Sequence, residues 1–467
     1  MSNIDFDYWF IPSFYVYIMK PILLDVQSIT FSPNQTGFQT GSYDKMAHLK
    51  FLGSCKEIGR SGFLLDDEDE SLLVDYGVKF ANPPKFPDLV PINGLQGVAI
   101  THAHLDHSGG VPNILRQSED ISLFCTKPTR DLTALLIHDM YNISRGRLPF
   151  ARKDIARVKK QCHPLGYEYT LPIGHHFEMT MFNAGHIPGS SMVSIGYNGK
   201  RILFTGDFNL TASRLTMGAR ENLPEHDYVV TESTYATRVN PRREEIEEAL
   251  IDSVIKTLER GGTVLIPAFA VGRSQEIMCI LEEYGLPNKY PIYIDGMARK
   301  VNEIFSRHSE YLGSPQLFKR ALQRTRVIRS NNDRRRASNE NGVIISPAGM
   351  LKGGSSMTYF RKLHDDPKNA IILVSFQIPG TPGAELLENK EVTLGDKVYK
   401  VKAELKYHHL SSHSDSYGLM NMLESIPGDP EFYIVHGEPE SAEVLAEQLE
   451  IRDKTAHVPL MNDVVEV

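Results

Sequence analysis

Residues 100–110 read ITHAHLDHSGG: three histidines and an aspartate within six positions, directly after the apolar run LQGVAI. On an extended segment His102 and His104 project to the same side, while Asp106 and His107 follow on a turn, so four potential ligands surround one small volume. A lone HxH is ordinarily structural or solvated, and by itself this stretch fits a surface loop, a structural metal clip or an open catalytic site. Three distant residues narrow the choice. His186 in NAGHIPGSS, Asp207 in LFTGDFN and His436 in YIVHGEPE each follow an apolar strand and precede glycine or another turn residue, where a side chain can enter a cleft. Histidine and carboxylate without thiolate suit zinc first and manganese second. An aspartate shared by two ions is a common way to build a dinuclear hydrolase.

The texture around these residues is that of an α/β protein. LKFLGS, SGFLLDD, SLLVDYG and LQGVAI read as strands, helical stretches are expected at about 128–145 and 151–161, and FEMTMFNAG, SMVSIGY, RILFTGD and DYVVTES read as further strands. After Glu232 a charged helix (PRREEIEEALIDSVIKTLERGG) feeds TVLIPAF, and PIYID, NGVIISPAG and AIILVSF are apolar strands separated by helical segments. That alternation predicts a mostly parallel sheet with helices on its faces. His-rich chemistry resumes after residue 404, so the simplest organisation is a βα module, 236–403, inserted into a metal-binding domain made of 47–235 and 404–467.

The 467 residues, 41% hydrophobic and 23% charged, are ample for two or three soluble domains. A net charge of −8 excludes a uniformly basic surface, although capture of nucleic acid depends only on the local field of a cleft. The four cysteines, Cys55, Cys125, Cys162 and Cys279, form no CxxC pair, which argues against a disulfide framework and fits a reducing, cytoplasmic compartment. Residues 1–46 read as an extension outside the main fold, with Met19 an alternative start. Its apolar run is shorter than a membrane span, and no membrane partner is expected.

THAHLDHSGG together with His186, Asp207 and His436 resembles the metallo-β-lactamase superfamily, whose fold is an αββα sandwich. The resemblance implies that His102, His104 and His186 hold one zinc, that Asp106, His107 and His436 hold the other, and that Asp207 bridges them. Asp75, ending LLVDYG, matches the acidic motif that braces the histidine loop. Within the superfamily, the second half of the chain resembles the β-CASP branch of nucleic-acid-cutting nucleases: Glu232 in VTESTYATRVN, Arg273 and Ser274 in VLIPAFAVGRSQEIM, His413 in HHLSSHSDS and His436 in IVHGE stand where that branch has its motifs.

The chemistry expected is hydrolysis of a phosphodiester, with Asp106, Asp207, Glu232 and His413 as catalytic residues. His413 supplies a proton to the departing ribose oxygen and Glu232 orients it. Phosphate capture is expected from backbone N–H groups at SPAGMLKGGSS (Gly349, Lys352) and GRSQ (Arg273, Ser274). The run RTRVIRSNNDRRRAS, with six arginines (Arg324, Arg326, Arg329, Arg334, Arg335, Arg336), is an electrostatic guide for RNA in this reading.

Two ribonuclease groups of this branch compete. AFAVGRSQEI, ESTYA and SPAGMLKGG look like the cleavage-and-polyadenylation group, chiefly endonucleases. HHLSSHS is similar to the RNase J pattern His-x-Ser-Gly-His-Ala in His409, Ser411 and His413, with Ser412 replacing the glycine and Ser414 the alanine. FQIPGTPG also resembles an RNase J segment. The expectation is therefore a compact, archaeal RNase J-like 5′→3′ exoribonuclease. It would act on single-stranded RNA with a 5′-monophosphate, which His409, Ser411 and Ser412 help to hold, and it would function in RNA decay and processing. The family implies a homodimer. The competing readings are an endoribonuclease, a DNA-repair nuclease (a subgroup with an aspartate-led motif in place of Glu232) and a non-catalytic processing subunit, which would ordinarily have lost ligands that are all present here.

Overall fold

The computed structural model describes residues 46–467 apart from Arg145; the alternative start at Met19 and nearly all of the N-terminal extension lie outside the described residues. Ser71–Val74 (SLLV) and Ser191–Tyr197 (SMVSIGY) are buried along their whole length, a burial that a strand reaches only when both of its faces are covered. Two seven-stranded sheets provide this. The first runs, edge to edge, through Val464–Glu466, His48–Phe51, Phe63–Asp66, Ser71–Val74, Leu95–Ala99, Ser122–Cys125 and Cys162–Pro164. The second runs through Ala456–His457, Glu431–Val435, Tyr228–Glu232, Lys200–Phe204, Ser191–Tyr197, Phe177–Asn183 and Thr170–Ile173.

Between the sheets lie Phe51, Leu65, Val74, Met181, Val193 and Phe204. Helices cover the outer faces: Val98 and Leu123 meet Val111, Ile114 and Ile137 on one side, and Val229 and Ile434 meet Leu419, Met422 and Leu445 on the other. The result is the αββα sandwich that the family resemblance implies.

Each sheet contains parallel pairs, Val74 opposite Ala99, Phe204 opposite Val230 and Glu232 opposite Val435. Parallel pairing brings carboxyl ends to the same edge, and Asp75, Thr101, Asp207, Glu232 and His436 all stand at such ends. Residues far apart in the chain therefore converge.

The inserted module is a six-stranded sheet in the order Thr325–Val327, Ile292–Ile294, Val343–Ser346, Val264–Pro267, Ala370–Leu373 and Glu404–Tyr407, every pair parallel. Each parallel crossover needs a long connection, here mostly helical. Its core is continuous with Ala103, Leu132, Ile187 and Leu215 of the sandwich, so the two sheet systems share one apolar cluster.

Two details differ from the expectation. Glu404–Tyr407 pairs with Ala370–Leu373, so the chain leaves the inserted sheet after Tyr407 rather than before Glu404; a strand's sheet is decided by its partner, which sequence texture does not display. The strands Ser122–Cys125, Cys162–Pro164 and Val464–Glu466 also go beyond the expectation, because runs of three or four residues carry little periodicity. Among the described residues no helix is long and apolar enough to cross a membrane.

Candidate metal centre and active site

The histidine loop is held from beneath by Asp75. This residue ends its strand with φ of 57°, and the turn aims its carboxylate at the loop. It accepts hydrogen bonds from the Thr101 N–H and Thr101 Oγ1, both at 2.8 Å, and pairs with His107 Nδ1 at 2.7 Å. With Nδ1 engaged, His107 turns Nε2 inward, 3.3 Å from Asp207 Oδ1. A carboxylate behind a ligand histidine fixes both its tautomer and its orientation.

Two groups of donor atoms result. His102, His104, His186 and Asp207 each offer one atom, all within 4.8 Å of one another. His104 Nδ1 lies 3.2 Å from His102 Nε2 and 3.1 Å from His186 Nε2, while His186 Nδ1 donates to the Ser412 carbonyl at 2.9 Å. That donation leaves the His186 Nε2 lone pair facing the cluster. The second group is His107, Asp207 and His436, with His436 Nε2 3.5 Å from Asp207 Oδ1 and 3.8 Å from Asp106 Oδ2. Asp106 also groups with His102 and His107. His436 is steadied from behind by Ser61 Oγ at 3.1 Å and Ser54 Oγ at 3.3 Å.

Asp207 joins the two groups. Its Oδ2 faces His102 at 3.4 Å and His186 at 3.7 Å, and its Oδ1 faces His107 and His436. His107 Nε2 and Asp207 Oδ1 are buried without a hydrogen-bond partner, an arrangement that is costly unless a cation meets them. Burial, chiefly, holds His102 and His186 well below the usual histidine range and lowers His104 as well, so these rings are neutral, as ligands must be. Burial resists charge on Asp207, yet the imidazoles around it, His436 first, keep its carboxyl well below the usual range. The donor set therefore fits divalent cations of the zinc type.

Beside this cluster His413 Nδ1 sits 2.8 Å from Glu232 Oε2, and Glu232 Oε1 also accepts the Phe208 N–H at 2.8 Å. His413 Nε2 lies 4.0 Å from Asp207 Oδ2. Burial opposes the imidazolium, but Glu232 and then Asp207 outweigh it and push His413 up to about 9. Glu232 is thus the hydrogen-bonding partner of His413.

The loop 409–413 is pinned from behind. Arg243 Nη1 donates to the Ser411 carbonyl at 2.9 Å and Arg273 Nη2 to Ser412 Oγ at 2.7 Å; both guanidiniums pair with Glu276. Ser411 Oγ closes a local turn, accepting from the His413 N–H and donating to the His413 carbonyl. His409 Nε2 meets the Tyr235 hydroxyl at 3.2 Å.

Not every expected phosphate contact is displayed to a ligand. Arg273 is only 5% exposed and holds Ser412, and Ser274 is fully buried, its Oγ donating to the Phe269 carbonyl of its own turn; neither reaches the surface to meet RNA. Gly349 packs near Phe269 and Lys352 is exposed on the same connection. Most of the arginine run is also spoken for: Arg324 pairs with Glu282, Arg326 and Arg336 with Glu340, and Arg334 with Asp295.

Sequence reasoning does not single out Thr101, Arg243, Glu276 or the serines behind His436. Thr101 stands inside the histidine motif, which is a usable signal. Arg243, in PRREE, has the appearance of a solvated helix start.

An αββα sandwich whose strand ends converge on a two-lobed histidine and aspartate cluster, with a parallel βα module inserted, defines a metallo-hydrolase of the β-lactamase class. Family models match in the same order: a Beta-lactamase superfamily domain over residues 71–262, a Beta-Casp domain over 274–386 and a Zn-dependent metallo-hydrolase RNA specificity domain over 398–459. The chain is 36% identical to RNase aCSPSF2 of Saccharolobus solfataricus, over 85% of this chain and 81% of that protein. It is 33% identical to Probable RNase MJ4 of Methanocaldococcus jannaschii, over 85% and 94% respectively. To transcription termination factor FttA of Methanothermobacter thermautotrophicus it is 36% identical, over 86% and 68%. The chain belongs to the metallo-β-lactamase, β-CASP ribonuclease family. A crystal structure of a protein of unknown function from Enterococcus faecalis V583 superposes with a TM-score of 0.57 at 14% identity, covering 90% of this chain and 100% of that one, a likeness of fold alone.

Proposed function

We propose that this protein hydrolyses RNA phosphodiesters with two divalent cations, zinc or alternatively manganese, and that it acts as a 5′→3′ exoribonuclease on single-stranded, 5′-monophosphorylated RNA in the cytoplasm. His102, His104 and His186 would hold one ion, Asp106, His107 and His436 the other, and Asp207 both. Ions there would acidify the attacking water and neutralise charge on the phosphate oxygens.

The protein's own groups do the rest. His413 gives its Nε2 proton to the departing ribose oxygen. Glu232 holds the ring by Nδ1 and favours its charged form. The observation that carries this reading is the Glu232–His413 pair, 2.8 Å apart, with His413 Nε2 4.0 Å from Asp207. The names of two relatives as RNases support RNA as the substrate.

The exonucleolytic mode rests on the loop 409–413. Its backbone is held by the Arg243 and Arg273 guanidiniums, which fix Ser411 and Ser412 next to the proton donor. A terminal phosphate bound there would set the cut close to the 5′ end. A second reading, endonucleolytic cleavage, is favoured by Ser412, whose side chain stands where the RNase J pattern has glycine. A homodimer belongs to the same proposal, as do the domain limits, with the last junction moved from 403/404 to after Tyr407 by the pairing of Glu404–Tyr407.

The test is digestion of one RNA labelled at either end and carrying a 5′-monophosphate, triphosphate or hydroxyl. Mononucleotide release confined to the monophosphate substrate is the expected result. Internal fragments indifferent to the 5′ group would replace the exonuclease by the endonuclease. No cleavage of any RNA, with metal supplied, would refute the ribonuclease reading.

A further inference from the structure

A groove of about 1050 Å³ runs between the helix Lys127–Ser144 of the sandwich and the helix Ala298–Arg307 of the inserted module. Six cations line it, Arg152, Lys159, Arg299, Lys300, Arg307 and Arg329, against two acids, Asp131 and Glu303. In a chain whose net charge is −8, this is a local reversal of sign. Asp131 is engaged by His308 Nε2 and Arg130 Nε, both at 3.0 Å and neither among the six, and at longer range by two of the six, Lys159 at 3.5 Å and Arg307 at 3.8 Å. The floor between the charges is apolar, built from Leu135, Ile155, Ile304 and Val327.

Two of the cations are held in place. Arg299 is planted by its own bonds to the Ile328 and Gly296 carbonyls, and Arg152 Nη2 leans on His138 Nε2 at 3.0 Å. Arg329 is the member of the arginine run that lines this groove, while Arg324, Arg326, Arg334 and Arg336 serve internal pairs.

The groove is tied to the active site through one helix. Thr126 Oγ1 and Thr129 Oγ1, at and before the start of Lys127–Ser144, donate to the Gly189 carbonyl at 2.7 and 2.8 Å, in the same turn that carries His186. Asp131, Ala134, Leu135 and His138 then present one face of that helix to the groove, a stripe about 10 Å long at 1.5 Å per residue.

A concave surface with a cationic lining and an apolar floor matches a flexible polyanion that carries flat bases: single-stranded nucleic acid. We propose that this groove is a second RNA-binding site, which holds the backbone of a long substrate outside the catalytic cleft. The inference rests on the ribonuclease reading for its substrate but not on exonucleolytic mode. Short RNAs confined to the cleft would not use the site; long ones would.

The experiment compares the wild type with Arg152→Ala/Lys300→Ala/Arg329→Ala, none of which belongs to the catalytic machinery. Binding to a long, unstructured single-stranded RNA is measured with metal chelated, as a function of salt, and cleavage of a short oligonucleotide is measured with metal present. The expected result is a fall in long-RNA affinity on the order of tenfold, with the salt slope smaller by about two, since each phosphate left unneutralised on a single strand removes roughly 0.7. Short-oligonucleotide cleavage stays at the wild-type level. The charge-preserving Arg152→Lys/Lys300→Arg/Arg329→Lys protein keeps the affinity.

Equal long-RNA affinity and slope in the alanine variant would overturn the proposal and leave the groove to another partner, such as an acidic protein segment. An equal fall in short-oligonucleotide cleavage would overturn it too, as general damage. If the wild type does not cleave the oligonucleotide with metal present, the ribonuclease reading fails, and the binding comparison still decides the groove on its own.

Discussion

His413 and Glu232, 181 residues apart in sequence, meet at 2.8 Å between His413 Nδ1 and Glu232 Oε2. The carboxylate is buried and shared with the Phe208 N–H, so it cannot turn away from the ring. His413→Ala is expected to lower kcat by about 10²- to 10⁴-fold, the usual worth of a positioned proton donor. Glu232→Gln should cost less and move the basic limb of the pH–rate profile to lower pH, because the imidazolium loses its main support. Metal content, read by atomic emission, should be unchanged in both. A Glu232→Gln profile that overlays the wild type would contradict the assignment.

Asp75 acts on the metal site through His107 and Thr101. Asp75→Asn keeps the size but weakens the pairing with His107 Nδ1, now at 2.7 Å. Loss of such a supporting partner typically costs 10- to 100-fold in metal affinity, by roughly the same margin in activity at limiting metal. Competition with a chromogenic chelator measures the affinity. The variant should regain activity as zinc is raised, which a folding defect would not.

Gly77 is a steric constraint on the same loop. A Cβ built there lies 1.6 Å from the Asp106 carbonyl oxygen and 2.8 Å from the His107 nitrogen. Both contacts are backbone, so neither can yield by a rotamer change. Gly77→Ala should destabilise by at least about 1–3 kcal/mol, as overpacking does, and displace Asp106 and His107. Urea unfolding and zinc stoichiometry together check it; a fully stable variant with two bound ions would show that the loop tolerates the shift.

His226 gives the fold an acid sensitivity away from the metal site. It is 1% exposed, with Nδ1 donating to the Pro224 carbonyl and Nε2 against Ser194 Oγ, both at 2.8 Å. Burial lowers it to about 4. An unfolded histidine takes a proton near 6.5, so between these values the unfolded chain binds more protons and stability falls as pH falls. The contribution is whole above about 6.5 and lost progressively down to about 4, on the order of 3 kcal/mol. Urea titrations of wild type and His226→Gln at about pH 7.5 and about pH 5 should show a shallower decline in the variant.

Removing the metal exposes the cost of the arrangement itself. Ions that bind only the folded chain stabilise it by about 4 kcal/mol at a thousandfold excess over Kd. Chelation should therefore lower Tm by several degrees and zinc restore it. His436→Ala should show a smaller zinc-dependent gain, because one of the two donor groups loses a ligand. A Tm indifferent to chelator in the wild type would argue against bound ions.

What the amino-acid sequence determined by itself was the architecture and the inventory of candidate metal ligands. His102, His104, His186, Asp207 and His436 follow short apolar runs, and an apolar run is legible because burial of its face is a property of the run alone. Once those runs pair in parallel, their carboxyl ends must share an edge. Ion pairing is not legible in that way. Arg273 has the look of a phosphate ligand and is locked behind Ser412; Arg243 has the look of a solvated helix start and is drawn in against Glu276 and Ser411. The run around Arg329 divides between internal partners and an open groove for the same reason. A charge takes its meaning from the group that faces it across the fold, and only the packing of the inserted sheet on the sandwich decides which group that is.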